Sequence, residues 1–176
     1  MKNLKLFAPL LVLISTLSYS QIDRSTTGLG LGLDYGGIGV NFTQYLTKNT
    51  GLYAGVGYAL ADIGFNAGVK FRFISEKSRV TPFLTAMYGY NTAVVVSNAA
   101  TYNKIFYGPS TGIGIDFARG QGKKGYVSLA LIVPVRGSEV DKYLNDLRAQ
   151  HGISISSPSP ITFSIGYRFI LKLAKD

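Results

Sequence analysis

The chain has 176 residues, the length of one domain, and only 15% of them are charged against roughly 25% in an ordinary soluble protein. It carries 21 Gly, 12 Tyr and 10 Phe and no Cys, which excludes a disulfide framework, a thiolate metal site, a cysteine nucleophile and a cysteine-borne lipid anchor. The formal charge of +9 comes from singly scattered Lys and Arg residues, a pattern that suits anionic lipid head groups better than nucleic acid, which is not expected as a partner.

Residues 1–20 read as a secretory signal. Lys2 and Lys5 form a positive start, Leu6 to Leu17 an apolar run, and Ser18-Tyr19-Ser20 puts small residues before Gln21. An apolar run of this length falls short of the roughly 20 residues a spanning helix needs. Removal of Lys2 and Lys5 leaves 16 basic against 9 acidic residues. Residues 21–176 then form the mature domain. No later stretch is apolar and long enough for a spanning helix, so any membrane crossing has to be made by strands.

From residue 28 onward the sequence alternates with period two, which gives each strand two unlike faces. The first run sets Leu29, Leu31, Leu33 and Tyr35 against Gly28, Gly30, Gly32 and Asp34, with a tight turn expected at Gly36-Gly37. The second sets Ile38, Val40, Phe42 and Leu46 against Gly39, Asn41 and Thr43. The third sets Leu52, Ala54, Val56, Tyr58 and Leu60 against Tyr53, Gly55, Gly57 and Ala59. In the fourth, Phe65, Ala67, Val69, Phe71 and Phe73 oppose Asn66, Gly68, Lys70 and Arg72. Turns are expected at 47–50 and 75–79.

The fifth run is the least regular, with Leu84, Ala86, Tyr88 and Tyr90 outward and Phe83 and Met87 inward. The sixth has Thr111, Ile113, Ile115 and Phe117 against Gly112, Gly114 and Asp116. The seventh has Val127, Leu129, Leu131, Val133 and Val135 against Tyr126, Ser128 and Ala130, an order in which Ile132 falls on the polar face. The eighth has Ile161, Phe163, Ile165, Tyr167, Phe169 and Leu171 against Thr162, Ser164, Gly166 and Arg168. Eight is an even number, and most runs approach the roughly 9–11 residues of a tilted membrane strand.

The second face decides what the first one meets. In a soluble barrel that face would meet water and carry many charges. Here it holds Gly, Ser, Thr and Asn, with Asp34, Lys70, Arg72, Asp116 and Arg168 as its charges. A face so rich in Gly fills a narrow lumen well, because eight strands leave room only for interdigitating side chains. The apolar face is then left to lipid. The expected fold is an all-β, eight-stranded, antiparallel, transmembrane up-and-down barrel. Aromatics near the run ends fit girdles at two interfaces: Tyr35, Tyr58, Tyr88, Tyr90 and Phe106 at one, Phe71, Phe73, Phe117 and Phe169 at the other.

The signal ending at Ser20-Gln21, the Gly-Ile-Gly-Ile-Asp-Phe run at 112–117 and the closing Ser-Ile-Gly-Tyr-Arg-Phe at 164–169 resemble the small eight-stranded bacterial outer-membrane barrels of OmpA/OmpX type. The resemblance covers the mature chain, and its motifs concern barrel construction rather than activity. It implies export through a Sec signal, outer-membrane lipid and lipopolysaccharide as surroundings, and contact with the barrel assembly machinery during insertion.

Three constellations remain. Lys70, Arg72, Asp116 and Arg168 face inward together with Asp34, as a gate for small anions or as a structural plug in which Asp116 pairs with Arg72 or Arg168. The plug is the simpler reading, because lone buried charges are costly. In the last outer loop, Ser138 and Asp141 form a capping pattern, and Val140, Tyr143, Leu144 and Leu147 share one face of a helix that Gly152 ends. That face either meets a partner or lipopolysaccharide, or folds down over the barrel mouth. Finally, Val94-Val95-Val96 lies in a loop that extends the fifth and sixth strands, as an edge for a surface protein ligand or as a tip resting on head groups.

Enzymatic readings find little support. His151 is the sole histidine, so no multi-histidine metal site exists, and neither a metal nor a cofactor is expected. The serine–histidine chemistry of a lipid A hydrolase would need strand-borne groups, whereas Ser154 and Ser156 lie beside His151 in a loop. Gly28-Leu29-Gly30-Leu31-Gly32 opens a strand with no helix after it, so it is no phosphate loop. The expected role is structural or surface-interacting, with narrow solute permeation as the alternative and a lipid A hydrolase behind it.

Overall fold

A computed structural model of the chain describes residues 25–74, 79–96, 100–117, 124–151 and 157–172. The signal read at 1–20, the turn residues 75–78 and 118–123, Gly152, Ser154 and Ser156 lie outside the described residues, as does the side chain of His151.

Alternation becomes strand at all eight runs. They are β1 (Ser25–Gly32), β2 (Gly37–Tyr45), β3 (Thr50–Tyr58), β4 (Ile63–Arg72), β5 (Val80–Val94), β6 (Lys104–Phe117), β7 (Gly125–Pro134) and β8 (Thr162–Lys172). Each pairs antiparallel with its sequence neighbours, and β1 pairs with β8, as in Gly28 opposite Arg168, to close the barrel. Closure leaves the wall no free edge. Local turn chemistry supports the pairing. The Thr47 hydroxyl accepts from Asn49 N and Thr50 N between β2 and β3, and the Asp62 carboxylate accepts from Ile63 N between β3 and β4.

The apolar residues of each strand form an exposed band around the outside. Phe65 is 57% exposed, Ile113 59% and Phe163 54%. A soluble monomer seldom exposes a contiguous apolar patch beyond roughly 300–600 Å². Tyr58, Tyr88 and Tyr107 stand exposed toward the loop-rich end, and Phe71, Phe73, Phe117 and Phe169 toward the end bearing the termini. Tyr107 packs on Phe65, with ring centroids 4.9 Å apart and the planes tilted by 35°.

Several inward and outward assignments differ from those expected. Leu33 and Tyr35 do not continue the outer face of the first strand. β1 ends at Gly32, and Leu33–Tyr35 form a single 3-10 turn buried inside the barrel. Gly36, in the left-handed region at φ 72°, and Gly37 at φ 111° return the chain to the wall. Tyr90 is also not on the outer face. A register shift between Tyr90 and Thr92 lets it pack against the lumen cluster of Leu33, Tyr53, Phe83, Met87, Ala130 and Ile132. Phe106 is buried rather than part of a girdle. Ile132, which falls on the polar face by parity, is fully buried in that same cluster.

β5 and β6 are the longest strands and project beyond their neighbours, since β4 reaches only Gly89 of β5 and β7 only Ser110 of β6. The one α-helix among the described residues, α1 (Ser138–His151), packs against this projecting hairpin. No helix among the described residues is long and apolar enough to cross a membrane, a statement that does not bear on strands.

Candidate functional site

Among the described residues, chemistry-bearing side chains converge in the lumen. Alternation sends every second residue inward, and in eight strands these meet across a few ångströms of shared space. The five charges read from the sequence, Asp34, Lys70, Arg72, Asp116 and Arg168, are all buried there.

Their pairing differs from the one expected. Asp116 pairs with Lys70, whose Nζ lies 2.8 Å from Asp116 Oδ1, and not with Arg72 or Arg168. The reason lies in position. β4 and β6 are both neighbours of β5, so Lys70 reaches Asp116 over the intervening strand, with Nζ 3.6 Å above the Phe83 ring. The Ser128 hydroxyl donates to the same carboxylate oxygen at 2.7 Å. Arg168 donates through Nη1 to Asn41 Oδ1 and Thr43 Oγ1 at 2.9 and 2.8 Å, and its Nη2 lies 3.5 Å from Asp34 Oδ2. The Arg72 guanidinium stacks 3.4 Å over the Tyr45 ring and donates to Lys48 O at 3.1 Å. Further bonds cross the lumen between strands that are not neighbours: Tyr45 to Tyr126 at 3.3 Å and Tyr53 to Thr85 at 2.8 Å.

Above this lattice sits the inverted turn at residues 33–36. A buried turn carries backbone carbonyls that need partners, and two lumen asparagines supply them. Asn41 Nδ2 donates to Asp34 O and Asn66 Nδ2 to Leu33 O, each at 2.5 Å. The Asp34 carboxylate bonds to the Ser164 hydroxyl and faces Arg168, which ties the turn to β8. The glycines of the inner wall make the space. A Cβ at Gly57 would lie 2.6 Å from Tyr35 O, one at Gly30 2.7 Å from the Tyr35 ring, and one at Gly166 would overlap the Tyr35 phenol. The turn therefore lies on a bed of glycines. Neither Tyr35 nor the asparagines stood out in the sequence. The available signal was the run of glycines on neighbouring strands, which marks where another piece of backbone comes close.

The second feature lies outside the wall. Val140, Leu144 and Leu147 of α1 are buried against Val94, Val96 and Phe106 of the projecting hairpin, with Tyr143 partly buried beside them. The face expected to meet a partner or the barrel mouth is thus covered by β5 and β6. The Tyr143 hydroxyl donates to Tyr102 O at 2.7 Å, and desolvation, with Tyr102 adding to it, holds that phenol above its ordinary pKa. Arg136 fastens the loop below α1, donating to Thr92 Oγ1 at 2.8 Å, Pro158 O at 3.3 Å and Ser159 O at 2.5 Å. The outward side of α1, including Glu139, Asp141, Lys142, Asp146 and Arg148, is polar and exposed.

Among the described residues no three His, Cys, Asp or Glu side chains gather as metal ligands would. No family model matches the chain, and no curated protein does. A solved structure does: the N-terminal β-barrel domain of Pseudomonas aeruginosa OprF, at 11% identity and a TM-score of 0.50, over 86% of this chain and 98% of that one. At that identity the likeness concerns fold alone. With every strand paired to its sequence neighbours and the first to the last, the chain is a closed eight-stranded antiparallel β-barrel of the fold that this OprF domain shows.

Proposed function

We propose that this chain is a non-enzymatic, non-conducting barrel of the bacterial outer membrane that acts through what it holds outside the wall. The observation that carries this reading is the turn at 33–36, folded into the lumen and fixed there by Asn41, Asn66, Ser164 and Arg168. The ion-paired layer beneath it, built on Lys70 and Asp116, adds to the filling of the lumen and supports the same reading. The outer-membrane assignment is supported by the exposed apolar ring and its flanking aromatics, whose natural solvent is the hydrocarbon of lipid. Export by a Sec signal, contacts with lipopolysaccharide and insertion by the barrel assembly machinery belong to the same reading. The projecting β5–β6 hairpin, stiffened by α1, is the platform from which a surface protein ligand would be met.

Planar lipid bilayers test it directly. The wild-type barrel is expected to give no steady ion current. An Asp34→Ala/Tyr35→Ala variant, which loses the anchor to β8 and the ring on the glycine bed, is expected to give openings. Steady current from the wild type would sink the sealed-lumen reading in favour of narrow permeation.

A further inference from the structure

Drawing the β1–β2 connection into the lumen has a cost at the rim. The hairpin stops at Gly32 and Gly37, while β8 extends past Ile165, the partner of Leu31, to Thr162, and β5 projects beyond β4. The result is a notch of about 220 Å³ in the loop-rich rim of the barrel. Leu31, Ile38, Tyr58 and Phe163, all members of the exposed outer band, form its mouth, and Leu33 of the inverted turn and Tyr90 form its inner wall.

The chemistry of this notch is narrow. Among the described residues no charged side chain lines it. Of its hydroxyls, those of Tyr58 and Thr162 donate to Leu60 O at 3.0 Å and to Ile132 O at 3.1 Å, which leaves the Tyr90 phenol as the polar group of an otherwise apolar lining. Apolar cavities of roughly 150 Å³ stay dry and accept a benzene-sized guest, so this space is large enough for a short run of hydrocarbon. Its mouth is also continuous with the band that meets lipid. We propose that the notch holds the end of an acyl chain from the outer leaflet, bent over the Gly32–Gly37 edge and packed against Leu33 and Tyr90. The proposal rests on the membrane reading above. It makes the inverted turn a wall of a lipid subsite as well as a seal.

The chain has no Trp, so single-Trp variants report one position each. The Tyr90→Trp variant probes the inner wall conservatively, and Leu33→Trp probes the same wall from the turn should the first fail to fold. Ile113→Trp marks the outer band, and Phe83→Trp marks the lumen away from the notch. Each is folded into phosphatidylcholine vesicles with brominated or plain acyl chains. The expected result is a loss of emission at Tyr90→Trp as deep as that at Ile113→Trp, with Phe83→Trp nearly unchanged. Filling the notch with Ala59→Leu in the Tyr90→Trp background should restore most of the emission. Quenching of Ile113→Trp without quenching of the inner-wall probes overturns the acyl-chain site while leaving the membrane reading intact. Quenching that survives Ala59→Leu also overturns the site, since it would come through the wall. An unquenched Ile113→Trp overturns the membrane reading, and the acyl-chain site with it.

Discussion

At the scale of single residues the barrel depends on opposites placed together, a glycine opposite a ring and a cation opposite a carboxylate. Gly166 lies under the Tyr35 phenol, where a methyl group has nowhere to go, whereas a Cβ at Gly137 would meet nothing within 4 Å. Gly166→Ala is therefore expected to lower stability by about 1–3 kcal/mol, the usual cost of overpacking. Gly137→Ala should be neutral, and the Gly166 penalty should shrink in a Tyr35→Ala background. Urea midpoints of the barrel folded in vesicles read all three. The Lys70–Asp116 pair invites a similar cycle. Lys70→Met strands a fully buried carboxylate and should cost about 3–5 kcal/mol, while Lys70→Met with Asp116→Leu should recover much of that loss. A double-variant penalty equal to the sum of the Lys70→Met and Asp116→Leu penalties would show that the pair is not coupled.

At the scale of elements, α1 and the barrel wall are separable in energy. The helix rests on Val94 and Phe106, which lie on the part of β5 and β6 that projects past β4 and β7, and on Val96 just beyond the end of β5. A hairpin with one bare apolar face is weak by itself, and the helix supplies the missing cover. Leu144→Ala removes a fully buried side chain, and a local loss of about 2–5 kcal/mol is expected from the cavity. The loss should stay local. Limited proteolysis should cut the region around α1 faster, while heat-modifiable gel migration of the barrel remains that of the wild type. A barrel that unfolded together with its helix would contradict this division.

At the scale of the whole molecule the decisive matter is which solvent the outer band faces. Ile113 sits mid-strand between Leu84 and Leu131, and Phe117 closes the same strand near the end bearing the termini. In a bilayer, Ile113→Arg should cost about 2–4 kcal/mol and Phe117→Arg no more than about 1, because the penalty falls with distance from the midplane. In a water-soluble barrel both changes would be tolerated alike. Folding yield into vesicles against denaturant distinguishes the two outcomes.

What the sequence determined by itself is the wall. Period-two alternation, a greasy face on all eight runs and a glycine-rich opposite face specify strand number, facing and closure, because each follows from local geometry repeated along the chain. It also specified which charges lie inside, since parity alone turns Lys70, Arg72, Asp116 and Arg168 inward. Ile132, out of place by parity as an apolar residue among polar ones, marked the lumen cluster without explaining it. The tertiary structure decided what fills the wall. Leu33 and Tyr35 continue the alternation of β1 in the sequence, yet the chain leaves the strand at Gly32 and turns inward. The glycines that leave space for that turn belong to β2, β3 and β8 as well as β1. Likewise Asp116 takes Lys70 rather than an arginine, because its partner is set by which strands flank β5. Such choices depend on contacts between residues far apart in the chain, and no local period records them.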